Sequence, residues 1–208
     1  IIADKGQVVQ KNLDVRYKGV KALGGEFEVE LTPSFLTEKK ADGMADSGMQ
    51  GALVYSRADF FGAVAGSSKV AVQYGTGAGA AVGESAGPWM YKDAEQLRVI
   101  AWGVADISEN LKVSPSVVYS KVDSLYGKDN PKGKDWLGIT VRPQYNFTRN
   151  LALQVEGAYG TGYTWGGDGS VMKLTVAPTI TLDNTSFWTR PQLRAFATYA
   201  SWDSKFKA

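Results

Sequence analysis

The 208-residue sequence predicts an all-β chain, and within that class a transmembrane antiparallel β-barrel. Three observations predict it. Apolar and polar residues alternate with a period of two, as in strands with one apolar and one wet face. The alternating runs are long, about 10 to 13 residues, where strands of soluble sheets usually have about 5 to 6. Tyrosine recurs near an end of the apolar face, at Tyr17, Tyr74, Tyr119, Tyr145, Tyr159 and Tyr199, where an aromatic girdle would meet a bilayer interface.

The elements follow in order. Leu13, Val15 and Tyr17 alternate with Asp14, Arg16 and Lys18, and Phe27, Val29 and Leu31 with Glu26, Glu28 and Glu30. The stretch from Met49 to Arg57 is strand-like with ambiguous faces. Val70, Val72 and Tyr74 alternate with Lys69, Ala71 and Gln73. Glu95 to Asp106 is likewise strand-like with ambiguous faces; Ala94 to Ile107 places Leu97, Ile100, Ala101 and Val104 at helical spacing, but Gly103 and the missing cap favour a strand. Leu111, Val113, Pro115, Val117 and Tyr119 oppose Lys112, Ser114, Ser116 and Ser120. Leu137, Ile139, Val141, Pro143 and Tyr145 oppose Gly138, Thr140, Arg142 and Gln144. Leu151, Leu153, Val155, Gly157 and Tyr159 oppose Ala152, Gln154, Glu156 and Ala158. Met172, Leu174, Val176, Pro178, Ile180 and Leu182 oppose Lys173, Thr175, Ala177, Thr179 and Thr181. Pro191, Leu193, Ala195, Ala197 and Tyr199 oppose Arg190, Gln192, Arg194, Phe196 and Thr198. The total is about ten strands in one β-barrel domain, residues 1–208.

Connections are expected to alternate in length. Phe147-Thr148-Arg149 and Asp183-Asn184-Thr185 read as short turns. Gly75 to Asp93, Asp123 to Lys134 and Gly160 to Gly169 read as long loops, so that one rim carries turns and the other loops.

Composition narrows the function. The chain has no Cys and no His, and Lys+Arg 23 against Asp+Glu 21 leaves a net charge of +2. Disulfides, thiolate metal sites, Cys nucleophiles and His-dependent triads are excluded, and no footprint for a nucleic acid exists. No apolar run reaches the roughly 18 residues of a membrane-spanning helix; the richest is Phe60 to Ala65. A mean hydropathy of −0.20 suits a barrel whose every second residue meets water. Ile1-Ile2-Ala3 carries no basic signal region, so either a leader was removed or the gene product starts elsewhere.

Period-two strands also fit a soluble sandwich of the lectin type, whose apolar faces pack on each other. Charges in mid-strand favour the barrel. Glu28, Arg142, Glu156, Lys173 and Arg194 need a wet lumen or partners, since burying an ion in a dry core costs several kcal/mol.

Several motifs have plain readings. Gly75-Thr76-Gly77-Ala78-Gly79-Ala80 is a loop, because no helix can follow it through Gly83, Gly87 and Pro88. Glu26, Glu28 and Glu30 form a solvated or lumen-facing row rather than a catalytic or Ca²⁺ cluster. Asn146-Phe147-Thr148 and Asn184-Thr185-Ser186 match a glycosylation pattern by coincidence. Asp123, Asp129 and Asp135 are the only acidic candidates for a barrel hydrolase and form no active-site pattern. Trp188 falls on the polar register of its strand, with Arg190 and Arg194 beyond it. It is either a platform for sugar rings or a space-filler under an infolded loop.

The run from Phe187 to Asp203, with Trp188, Arg190-Pro191, Arg194, Phe196, Thr198-Tyr199 and Trp202-Asp203, resembles the maltoporin family of carbohydrate-selective outer-membrane porins. Leu13 to Arg16 with Gly24 to Val29, Lys69 to Gly75, and Gly138 to Tyr145 resemble the same family in the same order. The resemblance implies an 18-stranded barrel, within the range of outer-membrane barrels. It further implies a homotrimer in the bacterial outer membrane and passive diffusion of oligosaccharides, with no reaction and no cofactor or metal. Trp188 aligns with an aromatic of the family's sugar slide, and a second slide position falls at about Ser67. Arg142, Arg190, Arg194 and Phe196 are the remaining candidate ligand-binding residues. On this reading the chain corresponds to central and later strands and is incomplete at both ends; a native ten-strand barrel is the alternative.

Overall fold

The computed structural model describes residues 10–36, 44–82, 91–124, 134–164, 167–183 and 186–204. Every named element is a β-strand: β1 (Gln10–Asn12), β2 (Val15–Ala22), β3 (Gly25–Leu36), β4 (Ser47–Phe60), β5 (Val64–Gly77), β6 (Glu95–Asp106), β7 (Leu111–Asp123), β8 (Lys134–Asn146), β9 (Leu151–Thr164), β10 (Gly167–Thr181), β11 (Gln192–Arg194) and β12 (Ala197–Trp202). From β3 to β10 each strand pairs antiparallel with the next, so the sheet is a continuous meander. Among the described residues its two edges do not pair with each other.

The ten predicted runs map in order onto this sheet, and the count rises to twelve because each edge strand is cut in two. The cause is proline. β1 and β2 both lie along β3, and the break at Leu13-Asp14 faces Pro33, where only the Leu13 N–H to Pro33 carbonyl bond, 3.1 Å, remains. β11 and β12 both lie along β10 in one register, and the break at Ala195-Phe196 faces Pro178. Proline offers a carbonyl but no N–H to the ladder.

Glu95–Asp106 is a strand, as its glycine and missing cap suggested. Two predicted connections differ. Within the predicted Gly160 to Gly169 loop, β9 runs to Thr164 and β10 starts at Gly167, with Gly162 opposite Gly169; residues 165 and 166 lie outside the described residues. Glycine carries no hydropathy signal, so the pattern fades there while the ladder continues. The turn predicted at Asp183-Asn184-Thr185 is part of a longer connection, from Leu182 to Pro191; Asn184 and Thr185 lie outside the described residues. Trp188 therefore sits in that connection and not on a strand face. Of the other predicted long loops, residues 83–90 and 125–133 lie outside the described residues. The hairpin between β2 and β3 closes on Leu23-Gly24, both with positive φ (53° and 76°), the two-residue geometry that matches strand twist.

Burial is inverted relative to a water-soluble domain. Tyr145 (45%), Leu174 (49%), Val141 (43%) and Ile139 (44%) are open on one face, while Gln144 and Thr179 on the other are fully covered. These are the faces the period-two pattern assigned. Among the described residues no second sheet or helix covers the apolar face, as the barrel reading expects and a sandwich does not. Rings gather outside the turn rim, with Phe60 and Phe61 5.0 Å apart and Tyr145 and Phe147 5.2 Å apart.

An arginine on the apolar face should be far worse than one on the polar face of the same strand. In lipid vesicles, Val141→Arg should lower unfolding stability by about 2 to 4 kcal/mol, as for lipid-facing sites at mid-depth. Thr140→Arg should change it little. Equal losses in denaturant titrations would refute the assignment of faces.

Candidate functional site

The polar face is built in cross-strand rows, because antiparallel register places like-facing residues side by side. One row runs Ser114, Arg142, Glu156, Thr175, Thr198 across β7 to β12. The next runs Lys112, Gln144, Gln154, Ala177, with Phe196 at the far end of the same register. Small residues leave room among long ones, and Ala177 beside Gln154 opens a cavity of about 120 Å³. Arg142, Gln154, Glu156, Thr175, Arg194 and Phe196 form the rest of its wall. Three predicted site residues, Arg142, Arg194 and Phe196, thus meet at one place.

Hydrogen bonds hold this wall. Gln154 Nε2 donates to Gln144 Oε1 at 2.7 Å, and Gln144 Nε2 donates to Asn146 Oδ1 at 3.0 Å. Glu156 binds Lys173 at 2.9 Å and Arg142 more loosely at 3.8 Å. Asn146 is thereby buried inside the wall, which fits the coincidental reading of its glycosylation pattern.

The connection after β10 folds back over the polar face. Phe187 is buried, and the Arg142 guanidinium carbon lies 4.8 Å from its ring centroid, a cation–π contact. Trp188 meets Phe187 edge-on at 5.0 Å and remains half exposed. It lines a second cavity, of about 240 Å³, with Ser67, Ser68, Lys69, Trp102 and Gly103. Arg190, exposed, donates from Nη1 to the Thr189 carbonyl at 2.7 Å. The predicted residues therefore divide: Arg142, Arg194 and Phe196 at one cavity, Trp188 at another, and Arg190 in the connection beside them.

Trp102 was hidden to sequence reasoning, because the faces of Glu95 to Asp106 were ambiguous. Its pairing with Lys69 settles the face. Trp136 is a second polar-face aromatic; a Cβ on Gly160 would overlap its ring, so the indole lies flat on a glycine. Ser67, the position implied for a slide aromatic, stands in the Trp102–Trp188 cavity.

The segment Ala78 to Val82 also lies on the polar face. Gln50 Nε2 donates to the Ala81 carbonyl (3.0 Å), and Gln96 Oε1 accepts from the Val82 N–H (2.9 Å). A Cβ on Gly75 would overlap the Gly79 carbonyl, and one on Gly48 the Gly79 amide. The glycine and alanine run that mimics a nucleotide loop instead lets backbone press on backbone. Glu26, Glu28 and Glu30 form the expected row, and β2 supplies partners: Lys18 binds Glu28 at 2.8 Å and Arg16 reaches Glu30 at 3.3 Å. Asp123 is paired with Lys121 at 3.2 Å and Asp135 accepts from Tyr119 at 3.3 Å, while Asp129 lies outside the described residues.

A family model described as LamB porin matches residues 2–208, and for a porin two consequences are measurable in planar bilayers. Glu156→Gln removes the carboxylate between Arg142 and Lys173, so the chloride-to-potassium permeability ratio should rise on the order of twofold. An unchanged reversal potential in a salt gradient would place Glu156 off the ion path. Gly75→Val should dislodge the Ala78 to Val82 segment and increase single-channel conductance; unchanged conductance would mean that the segment does not narrow the passage.

Proposed function

The chain belongs to the LamB porin family, and from that premise we propose that it serves as a channel for passive, sugar-selective diffusion of oligosaccharides across the bacterial outer membrane, assembled as a homotrimer. Lipid covers the Leu, Val and Tyr face, and the polar face lines the passage. No bond is made or broken, and no cofactor or metal is required. The observation that carries the sugar reading is the cavity between Trp102 and Trp188 on the polar face, with Ser67, Ser68 and Lys69 at its edge. Pyranose rings present apolar C–H faces that stack on indole, while their hydroxyls exchange hydrogen bonds with serine and lysine. Arg142, Arg190, Arg194 and Phe196 would supply the next station. Several weak stations let a sugar both enter and leave.

The test is sugar block of ion current through the reconstituted channel. Trp188→Ala and Trp102→Ala should each weaken maltotriose block about fivefold, the equivalent of about 1 kcal/mol of lost ring stacking. Block unchanged by both substitutions would remove the tryptophans from the sugar path. Absence of block in the unaltered channel would overturn the sugar reading itself.

A further inference from the structure

We infer that the cavity walled by Arg142, Arg194 and Phe196 receives an anionic group carried by a saccharide, a carboxylate foremost, so that the channel prefers acidic to neutral oligosaccharides. This deepens the sugar-channel reading and rests on it.

Two cations, Arg142 and Arg194, and one carboxylate, Glu156, line this cavity; Lys173 pairs with Glu156, and Arg190 lies within electrostatic reach of Arg194. Glu156 is committed to Lys173 at 2.9 Å and stands 3.8 Å from Arg142. Among the described residues, Arg190 and Arg194 form no ion pair: Arg190 donates to a carbonyl, and Arg194 donates to the neutral Oε1 of Gln192. The neighbouring Lys112 adds nothing, since Asp106 neutralises it at 2.8 Å.

Arg142 Nε is a buried donor without an acceptor, and so is Nε2 of Gln192, the residue whose Oε1 accepts from Arg194 behind the cavity wall. A buried donor left unmade is costly, of order 1 to 3 kcal/mol, and more so when charged. A sugar hydroxyl that reaches the guanidinium groups accepts a hydrogen bond but leaves the excess positive charge uncompensated. A carboxylate supplies an acceptor and a charge together, and its two oxygens match a guanidinium fork. Phe196 on the same wall gives the attached ring an apolar surface. The Arg142 side chain is 26% exposed, so the site is reachable from the passage while its field is only partly screened.

The test compares trigalacturonate with maltotriose as blockers of the reconstituted channel. In about 0.1 M KCl trigalacturonate should block at roughly tenfold lower concentration, and near 1 M KCl that preference should collapse as the screening length shortens. Arg142→Gln and Arg194→Gln should each reduce the ratio of the two affinities by about tenfold, the loss expected for one charge-assisted pair. Arg194→Lys keeps the charge but not the fork, so its ratio should fall between. Heat-modified gel migration identifies folded variants, and the salt dependence of the unaltered channel tests the inference even where a variant misfolds. Maltotriose block with no preference for trigalacturonate, or a preference indifferent to salt or to both substitutions, overturns this inference and leaves the sugar channel standing. Failure of both sugars to block overturns the two together.

Discussion

Hydrocarbon offers no hydrogen bonds, and every other feature of this molecule answers to that. A chain that crosses it must pair each backbone amide and carbonyl internally and must turn apolar side chains outward. The meander from β3 to β10 meets the first demand, since each strand is bonded on both sides by its sequence neighbours. The second demand produces the inverted burial, with Leu174 and Tyr145 open and Gln144 and Thr179 enclosed. Strands of 12 to 15 residues from β3 to β10 exceed the roughly 9 to 11 that a tilted strand needs to span the bilayer.

With the apolar side chains committed to the outside, the inner wall can be polar and specific. Its polar groups are held largely by one another: Gln154 on Gln144, Gln144 on Asn146, and Lys173 on Glu156. Such a wall tolerates infolded backbone where glycines admit it, as at Gly48 and Gly75. It also tolerates inward aromatics, and Trp102, Trp136 and Trp188 stand where an interior reading of hydropathy would place polar residues. The tryptophans and the arginines are therefore features that strand formation alone does not explain.

Much of this was legible in the sequence because a period of two survives any tertiary arrangement. The runs around Leu137 to Tyr145 and Met172 to Leu182 announced their faces, and pairing kept them. What failed did so for local reasons. Gly160, Gly162, Gly167 and Gly169 erased the pattern of a continuing ladder. Pro33 and Pro178 interrupted edge strands through their neighbours, an effect carried between strands rather than along one. Trp188 was placed on a strand by extrapolating the alternation of Gln192 to Thr198 backward past Pro191. The convergence of Arg142, Arg194 and Phe196 followed from their common parity, but the cavity among them depends on Ala177 on a third strand. Trp102 escaped notice because Ala101, Gly103 and Ala105 give its strand too weak an apolar face to read.

The central claim is that lipid covers one side of these strands and water the other. The chain has no cysteine, so single cysteines along β8, from position 136 to 145, can carry nitroxide labels without background. Electron paramagnetic resonance in lipid vesicles then reads contact with oxygen, which concentrates in the bilayer, against contact with a water-soluble nickel chelate. The account predicts strict alternation, with oxygen maxima at 137, 139 and 141 and nickel maxima at 138, 140 and 142. Uniform accessibility, or odd positions shielded from both reagents, would contradict it.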